Sequence, residues 1–105
     1  MECLIINTAQ CSEILWMDSI VYCCAEGSYT RVYLKGGRSV FSSKNLAWFE
    51  RNLKSHFFVR MHRSYIINLR CIAKVFRHER KICLINGEEI PFSKGKSKHF
   101  WDSIG

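Results

Sequence analysis

Four turn signals divide the chain into short segments, and this punctuation is the feature that most restricts its fold. Asn86-Gly87 is the strongest signal, because Asn-Gly favours the tight two-residue turn of a β-hairpin. The other three are Glu26-Gly27-Ser28, Lys35-Gly36-Gly37-Arg38 and His78-Glu79-Arg80. The segments between these turns are short and rich in β-branched and aromatic residues. The pattern therefore predicts a mostly β chain made of hairpins.

The same pattern predicts the positions of the individual elements. Strands are expected at residues 14–16, 20–25, 29–34, 39–41, 72–77, 81–85 and 89–92. One helix is expected to begin at a capping serine, Ser42 or Ser43, and to carry Leu46, Phe49 and Leu53 on one face. The basic tail, residues 94–101, is a candidate for a last short helix. The sequence shows no internal repeat, linker or low-complexity segment.

Residues 58–69, FVRMHRSYIINL, place two arginines and a histidine inside an otherwise apolar run. Alternation along a strand predicts that Arg60 and His62 lie together on the face opposite the apolar side chains. Continued alternation would bury Arg63 without a partner, which is energetically costly. We therefore expect the strand to stop near His62 and Arg63 to lie in a loop between two strands, where cationic donors suit a polyanion.

The charge of the chain is distributed unevenly. With 105 residues and 48% hydrophobic content, the chain is expected to form one domain, residues 1–105. Its first thirty residues hold four acids and no Lys or Arg, whereas residues 31–105 hold all sixteen Lys and Arg against five acids, a net charge of +11. A one-sided basic surface attracts phosphates. Nucleic acid is therefore the expected partner, and a solvated cationic face without a specific partner is the alternative.

The cysteine pattern favours neither disulfides nor a metal site. The six cysteines include no CxxC pair and no Cys/His cluster at zinc spacing. Cys3, Cys71 and Cys83 lie among aliphatic residues, where cysteine acts as a small core side chain. No apolar run approaches the roughly 18 residues that span a membrane, and no signal peptide is evident. These features predict a cytoplasmic protein with reduced thiols, no cofactor and no membrane partner.

Three stretches carry a longer set of motifs. They are DSIVY at residues 18–22 followed by EGSYT at 26–30, the serine-capped helix with Leu46, Phe49, Glu50 and Leu53, and FVRMHRSYIINLRCI at residues 58–72. A weaker fourth stretch is IPFSK at residues 90–94, after Gly87. Together they resemble the LytTR domain, the DNA-binding module of many bacterial response regulators. The third motif is the most specific, and the resemblance covers nearly the whole chain.

The resemblance implies a mostly β, elongated domain of small antiparallel sheets with one short helix. It also implies that loops, and not a recognition helix, enter successive major grooves of double-stranded DNA. The family's contact segments correspond here to Ser28 and Tyr29, to His62 and Arg63, and to Lys94 and Lys96. Ser28 stands in place of the family's common Asn, and Lys94 in place of its usual Arg. Both differences are compatible with phosphate contact at these positions.

Side-chain chemistry assigns different roles within these segments. An arginine can donate twice to O6 and N7 of guanine, so Arg63 is the candidate for reading bases. Arg60 and the lysines are the candidates for holding the DNA backbone. His62 has two interpretations, a donor to DNA or a hydrogen bond to a neighbouring strand. Asn68 is expected to be a core hydrogen-bonding residue and Tyr65 a packing residue.

Four classes of function compete, and one of them, an interaction module that does not bind DNA, is disfavoured by the net charge of +11 on residues 31–105. The leading one is sequence-specific binding of double-stranded DNA for transcriptional regulation, as the output domain of a two-component system. By the resemblance, two copies would bind direct repeats as a dimer on DNA, and a receiver domain or sensor kinase would be a further partner. The alternative is a single-stranded nucleic-acid binding module, since basic and aromatic residues are interleaved. An enzyme is disfavoured, because no Gly-rich nucleophile turn, carboxylate pair or metal cluster is present.

Overall fold

Strands form most of the structure, a computed structural model that describes residues 2–53, 57–93 and 95. The strands are β1 (Cys3–Asn7), β2 (Ser12–Trp16), β3 (Ile20–Glu26), β4 (Tyr29–Leu34), β5 (Ser39–Ser42), β6 (Phe58–His62), β7 (Tyr65–Asn68), β8 (Ile72–Phe76), β9 (Lys81–Leu84) and β10 (Glu89–Pro91). One α-helix, α1 (Leu46–Asn52), lies between β5 and β6. Short 3-10 turns, Met17–Ser19 and Leu69–Cys71, precede β3 and β8. The predicted mostly β class is confirmed.

Three antiparallel sheets share these strands. The central sheet has five strands in the order β5-β4-β3-β7-β6, and smaller sheets contain β1-β2 and β10-β9-β8. Every pairing among the described strands is antiparallel. The Cα atoms extend over 44 × 25 × 22 Å. The elongated arrangement of small antiparallel sheets is therefore confirmed as well.

Apolar side chains cover both faces of the central sheet. On one face, Leu46 and Phe49 of α1 and Leu15 of β2 pack with Ile66 of β7. On the other face, the β8–β10 sheet packs with the central sheet through a second cluster, in which Met61, Ile67, Ile82 and Leu84 are each at most 1% exposed. The central sheet is thus held between two layers, which fixes the orientation of its strand ends.

The helix carries the predicted apolar face but begins later than predicted. Leu46, Phe49 and Leu53 are all buried. The N-cap is Asn45, whose Oδ1 accepts a hydrogen bond from the Trp48 amide at 2.9 Å, so the prediction of Ser42 or Ser43 as the cap was wrong. Ser42 is unavailable because it ends β5 and its hydroxyl accepts the Lys44 amide. Asparagine is an equally good N-cap residue.

One strand was not predicted. β1 pairs with β2 along five residues, and Leu4 and Ile6 face the core while Ile5 is exposed. Because Ile5 is exposed between the buried Leu4 and Ile6, the short aliphatic run did not by itself identify a strand. Cys3 is exposed in β1, so the prediction that it packs in the core was wrong, whereas Cys71 is fully buried.

The two halves of the chain contain the same unit although the sequence shows no repeat. We call β3–β5 the first meander and β8–β10 the second meander. Each follows a 3-10 turn, and the pairing register shifts after its first residue, Ile20 or Ile72. Three hydrogen bonds from a main-chain amide to a main-chain carbonyl also recur at equivalent positions of the two meanders. In the first meander they run from Lys35 to Ser19 (2.8 Å), from Leu34 to Arg38 (2.8 Å) and from Gly37 to Leu34 (3.2 Å). In the second meander they run from Ile85 to Cys71 (2.8 Å), from Leu84 to Glu88 (2.8 Å) and from Gly87 to Leu84 (2.9 Å).

Two further predictions concern helices: a last short helix in the tail, and the absence of a membrane-spanning segment. The predicted tail helix at residues 94–101 lies outside them, apart from Gly95. Within the described part of the chain, no helix has the length and apolar composition needed to cross a membrane.

Asn68 joins the two halves of the central sheet from inside the core. The residue is 2% exposed, its Nδ2 donates to the Ile20 carbonyl at 2.9 Å, and its Oδ1 accepts the Arg70 amide at 2.9 Å. The start of β3 is thereby tied to the end of β7. The predicted role of Asn68 as a core hydrogen-bonding residue is confirmed.

Asn68→Ala is expected to lower the free energy of unfolding by about 2 kcal/mol or more, because it leaves the buried Ile20 carbonyl and the partly buried Arg70 amide without their partner. Urea denaturation followed by circular dichroism measures this loss. Asn52→Ala is the matched control, since Asn52 also donates to a main-chain carbonyl, that of Trp48, but is exposed. The control should lose about 0.5 kcal/mol or less. Equal losses in the two variants would contradict the role assigned to Asn68.

Candidate nucleic-acid interface

Two of the three predicted contact segments meet at one end of the central sheet. β3 pairs with β7 so that Cys24 is opposite Tyr65, and the Ala25 amide donates to the Ser64 carbonyl at 2.8 Å. The β3–β4 turn, residues 27–28, and the β6–β7 turn, residues 63–64, are therefore neighbours. We call this the loop end of the central sheet. Residues distant in sequence can thus act on one ligand.

The chain that leads to the third segment reaches the same end. The Ser93 amide donates to the Met61 carbonyl at 3.1 Å, and Met61 lies two residues before Arg63. Ser93 is also the residue directly before Lys94. Lys94 and Lys96 themselves lie outside the described residues, so their contacts remain predictions.

The β3–β4 turn presents polar and aromatic groups in a defined conformation. Gly27 adopts φ +64°, a left-handed conformation that glycine accepts without strain. Ser28 and Tyr29, which follow it, are exposed. The Tyr29 ring lies 5.3 Å from the Phe41 ring. Packing against the edge strand β5 therefore orders Tyr29 although nearly half of it, 47%, is accessible.

An ion pair between Arg31 and Glu26 lies next to this aromatic contact. The Arg31 Nε donates to Glu26 Oε2 at 2.7 Å, and the Arg31 guanidinium lies 4.9 Å from the centre of the Phe41 ring. Arg31 is thus engaged within the protein. A direct contact of Arg31 with DNA would require it to give up these partners.

A β-bulge in β6 changes the predicted alternation. The register shifts between Arg60, opposite Ile66, and His62, opposite Tyr65, so that Met61 is the extra residue. Ile66 belongs to the cluster on the α1 face and Tyr65 packs against the cluster on the other face. Arg60 and His62 therefore lie on different faces, and the prediction that they share a face was wrong. A bulge cannot be seen in the period of the sequence, because it inserts one residue into an otherwise regular strand.

His62 is held by its own turn. Its Nδ1 accepts the Ser64 amide at 3.1 Å, and its ring lies 5.5 Å from the Tyr65 ring. In a neutral imidazole, a nitrogen that accepts a hydrogen bond leaves the proton on the other nitrogen. The Nε2 of His62 is therefore the donor, suited to a base or phosphate acceptor. The hydrogen bond to a neighbouring strand that was the other interpretation is replaced by one within the turn.

Arg60 connects the helix to the turn that carries Arg63. Its Nη1 donates to Glu50 Oε1 at 2.8 Å, and its Nη2 donates to the Arg63 carbonyl at 2.6 Å. The Arg60 side chain is 22% exposed, and its Nε is buried without a hydrogen-bond partner among the described residues. Both terminal nitrogens therefore have protein partners. We call the Glu50–Arg60–Arg63 carbonyl arrangement the turn clamp.

Glu50 is the residue of this site to which sequence reasoning assigned no role. The signal was present, because Glu50 is the only acid between Glu26 and Glu79. A lone carboxylate in a long basic stretch is a candidate partner for a specific cation. The chain offers several arginines as that cation, so spacing alone could not identify Arg60.

Arg63 is the exposed cation at the tip of the β6–β7 turn. The turn clamp holds its carbonyl, while its side chain extends from the turn. Tyr65 behind it packs against the second core cluster, as predicted. Burial raises the pKa of the Tyr65 hydroxyl, and the nearby Cys24 thiol raises it further. Tyr65 therefore remains a neutral packing residue under physiological conditions.

The cysteines near the site are poorly suited to nucleophilic chemistry. Burial raises the pKa of the thiols of Cys23, Cys24 and Cys71, which disfavours the reactive thiolate. All six cysteines are free. Among the described residues, no group of three or more His, Cys, Asp or Glu side chains is placed to hold a metal ion.

Comparison with known proteins identifies the family of the chain. The model of the LytTr DNA-binding domain family matches residues 10–105. The chain belongs to the LytTr DNA-binding domain family. This family is a family of DNA-binding domains and is not a known enzyme family. The motif at residues 58–72, which carried the resemblance, forms β6, the β6–β7 turn, β7 and the following 3-10 turn.

Individual relatives show how far the similarity extends. The chain is 31% identical over 101 residues to the sensory transduction protein LytR of Streptococcus mutans, a match that covers 93% of this chain and 41% of LytR. The chain thus spans about two fifths of that relative. A solved LytTr DNA-binding domain from Bacillus cereus has the same fold, with a TM-score of 0.85, 23% identity and coverage of 100% of this chain and 98% of that one.

Glu50→Ala is expected to reduce discrimination between a specific and a random duplex, because it loosens the turn clamp around Arg63. The specificity ratio should fall about tenfold, part of the roughly 1–3 kcal/mol that a bidentate arginine–guanine pair provides. Affinity for random duplex should stay equal or increase, because a negative charge is removed from a surface near DNA. Fluorescence anisotropy with both duplexes measures the two affinities.

Glu89→Ala is the matched control for this prediction. Glu89 is 50% exposed against 51% for Glu50, and it also pairs with one cation, Lys81 at 3.1 Å. The control removes the same charge and an equivalent ion pair but does not touch the clamp. A specificity ratio that falls equally in both variants would show that the clamp has no special role.

Proposed function

We propose that residues 1–105 act as one DNA-binding domain that reads specific sequences by inserting the loop end of its central sheet into the major groove. One observation carries this proposal. The β3–β4 turn, the β6–β7 turn and the segment ending at Ser93 meet at that end. Cationic and polar donors from three separate segments are thus presented together, and β strands hold each of them rigidly from behind.

Within this interface, we propose that Arg63 reads a guanine through O6 and N7, the commonest specific contact between protein and DNA. The exposed guanidinium at the tip of a short turn supports this role. His62 would donate from Nε2 to a neighbouring base or phosphate. Its ring is already fixed by Ser64 and Tyr65, so little conformational entropy is lost on binding.

The remaining candidates are assigned to the DNA backbone. Ser28 and Tyr29 are exposed beside the β6–β7 turn, and Lys94 and Lys96 follow Ser93 in sequence. For Arg60 we propose a positioning role in place of the phosphate contact expected from sequence. Its two terminal nitrogens bind Glu50 and the Arg63 carbonyl, so a phosphate would have to displace one of them.

The wider assembly is part of the same proposal. The similarity to LytR, of which the chain spans 41%, supports a role as the output domain of a two-component system that includes a receiver domain and a sensor kinase. We propose that two copies bind direct repeats and dimerise on DNA. The six free cysteines are compatible with the reducing cytoplasm as the site of action.

Single-stranded nucleic acid is the second candidate ligand, and one observation favours it. Tyr29 and Phe41 form an exposed aromatic pair beside Arg31, and aromatic rings can stack with unpaired bases. A single pair holds few bases, however, whereas the three converging segments form a protrusion that suits a groove. Competition between duplex and single strand at equal length and salt separates the two candidates, and the proposal predicts preference for the duplex.

Arg63→Ala is the most informative variant once selection from a random duplex pool has identified a bound motif. The ratio of affinities for motif and random duplex should fall by roughly 1–3 kcal/mol, or about 5- to 150-fold, because a bidentate base contact is lost. Arg38→Ala is the control, since Arg38 is exposed at the opposite end of the central sheet, where it pairs with Glu13. Anisotropy titrations should show an unchanged ratio for the control.

Two outcomes would contradict the assignment. An unchanged specificity ratio in Arg63→Ala would exclude base reading by this residue. An equal loss in Arg38→Ala would show that the effect arises from net charge alone, without regard to the loop end.

A further inference from the structure

The duplicated meander gives the β3–β4 turn a counterpart in the second half of the chain. In the first meander this turn joins β3 to β4 and carries the predicted contact residues Ser28 and Tyr29. The corresponding turn of the second meander joins β8 to β9 and consists of residues 77–80. The two meanders share their 3-10 turn, register shift and glycine turn. The β8–β9 turn therefore occupies the equivalent position in its own sheet.

Hydrogen bonds place the β8–β9 turn at the loop end of the central sheet. The Phe92 amide donates to the Arg80 carbonyl at 3.0 Å, and the next amide, that of Ser93, donates to the Met61 carbonyl at 3.1 Å. The two-residue segment of Phe92 and Ser93 thus lies between Arg80 and the end of β6 and is hydrogen-bonded to both. Neighbouring strands lie about 4.8 Å apart, so Arg80 lies roughly 10 Å from Met61. A duplex bound at the β6–β7 turn would extend past this position.

The charge of the turn suits DNA. Residues 77–80 are Arg, His, Glu and Arg, and all four are exposed. Lys81, which follows, is occupied by Glu89 at 3.1 Å. The turn therefore adds positive charge at the end where the β6–β7 turn and Ser93 already lie.

The backbone of Arg80 is unusual for an arginine. Arg80 has φ +52° and is the only residue other than glycine with positive φ in the described chain. A left-handed conformation is unfavourable for residues with a β-carbon, and glycine or asparagine is the usual choice. The turns at Gly27, Gly36, Gly37 and Gly87 do use glycine. A strained residue at an exposed position points to a role for its side chain.

We propose that the β8–β9 turn is an additional DNA contact, in which the guanidinium of Arg80 binds a backbone phosphate next to the groove entered by the β6–β7 turn. This inference rests on the proposed function, because it requires a duplex at the loop end. Such a contact adds affinity without reading sequence. It also fixes the rotation of the domain on the duplex, since the turn and Arg63 come from different sheets.

Three substitutions of Arg80 test this contact in the full chain. Arg80→Gly and Arg80→Asn remove the cation and fit the left-handed conformation, so their melting temperatures should equal or exceed that of the unmodified protein. Arg80→Lys retains the charge. Binding to the selected duplex and to a random duplex is measured by anisotropy between low and moderate salt. Arg38→Ala serves as the control for loss of one positive charge away from the loop end.

The expected result is a decrease of about one in the slope of log K against log salt for Arg80→Gly and Arg80→Asn, with affinity about two- to fivefold weaker for both duplexes alike. Arg80→Lys should retain the slope, as should Arg38→Ala. An unchanged slope in Arg80→Gly and Arg80→Asn would overturn the proposed contact, and so would an equal change in Arg38→Ala. If the unmodified protein bound no duplex at low salt, the proposed function itself would fail, and this inference with it.

Discussion

The pairing of β3 with β7 is the interaction on which the rest of the structure depends. It joins the first meander to the β6–β7 hairpin in one sheet, and Asn68 secures it by binding the Ile20 carbonyl from a buried position. Both faces of this sheet are covered by apolar clusters, so its strands cannot slide without exposing core side chains. The register in turn sets the Ala25 amide against the Ser64 carbonyl. Two turns that are far apart in sequence thereby become one surface.

Recognition by loops requires that the loops be rigid, because ordering a flexible loop on binding costs free energy. In the β6–β7 turn, this rigidity comes from side chains on both faces of the sheet. The bulge at Met61 directs Arg60 and His62 to opposite faces of the sheet. From one face, Arg60 then holds the Arg63 carbonyl, and from the other, His62 accepts the Ser64 amide. The β6–β7 turn is thus fixed on both sides while the Arg63 side chain extends to solvent.

Much of the fold could be predicted from sequence because it depends on local signals. Turn residues such as Asn86-Gly87 marked the hairpins, and apolar spacing marked the buried face of α1. The bulge, the Asn45 cap and the pairing of β1 could not be predicted, because each depends on neighbours that spacing does not reveal. For the site, the motif around Arg63 indicated the segment, and the resemblance indicated the partner. The turn clamp and the position of Arg80 depend on contacts between distant segments, so they required the structure.

The central claim is that DNA binds the loop end of the central sheet. The most direct measurement is the change in backbone amide chemical shifts of ¹⁵N-labelled protein when a selected duplex is added. If DNA binds there, the largest changes should occur in the β3–β4, β6–β7 and β8–β9 turns, around Ser28, Arg63 and Arg80. Little change is expected at the opposite ends of both meanders, around Gly37 and Gly87. Largest changes at these two glycine turns, with the loop end unaffected, would contradict it.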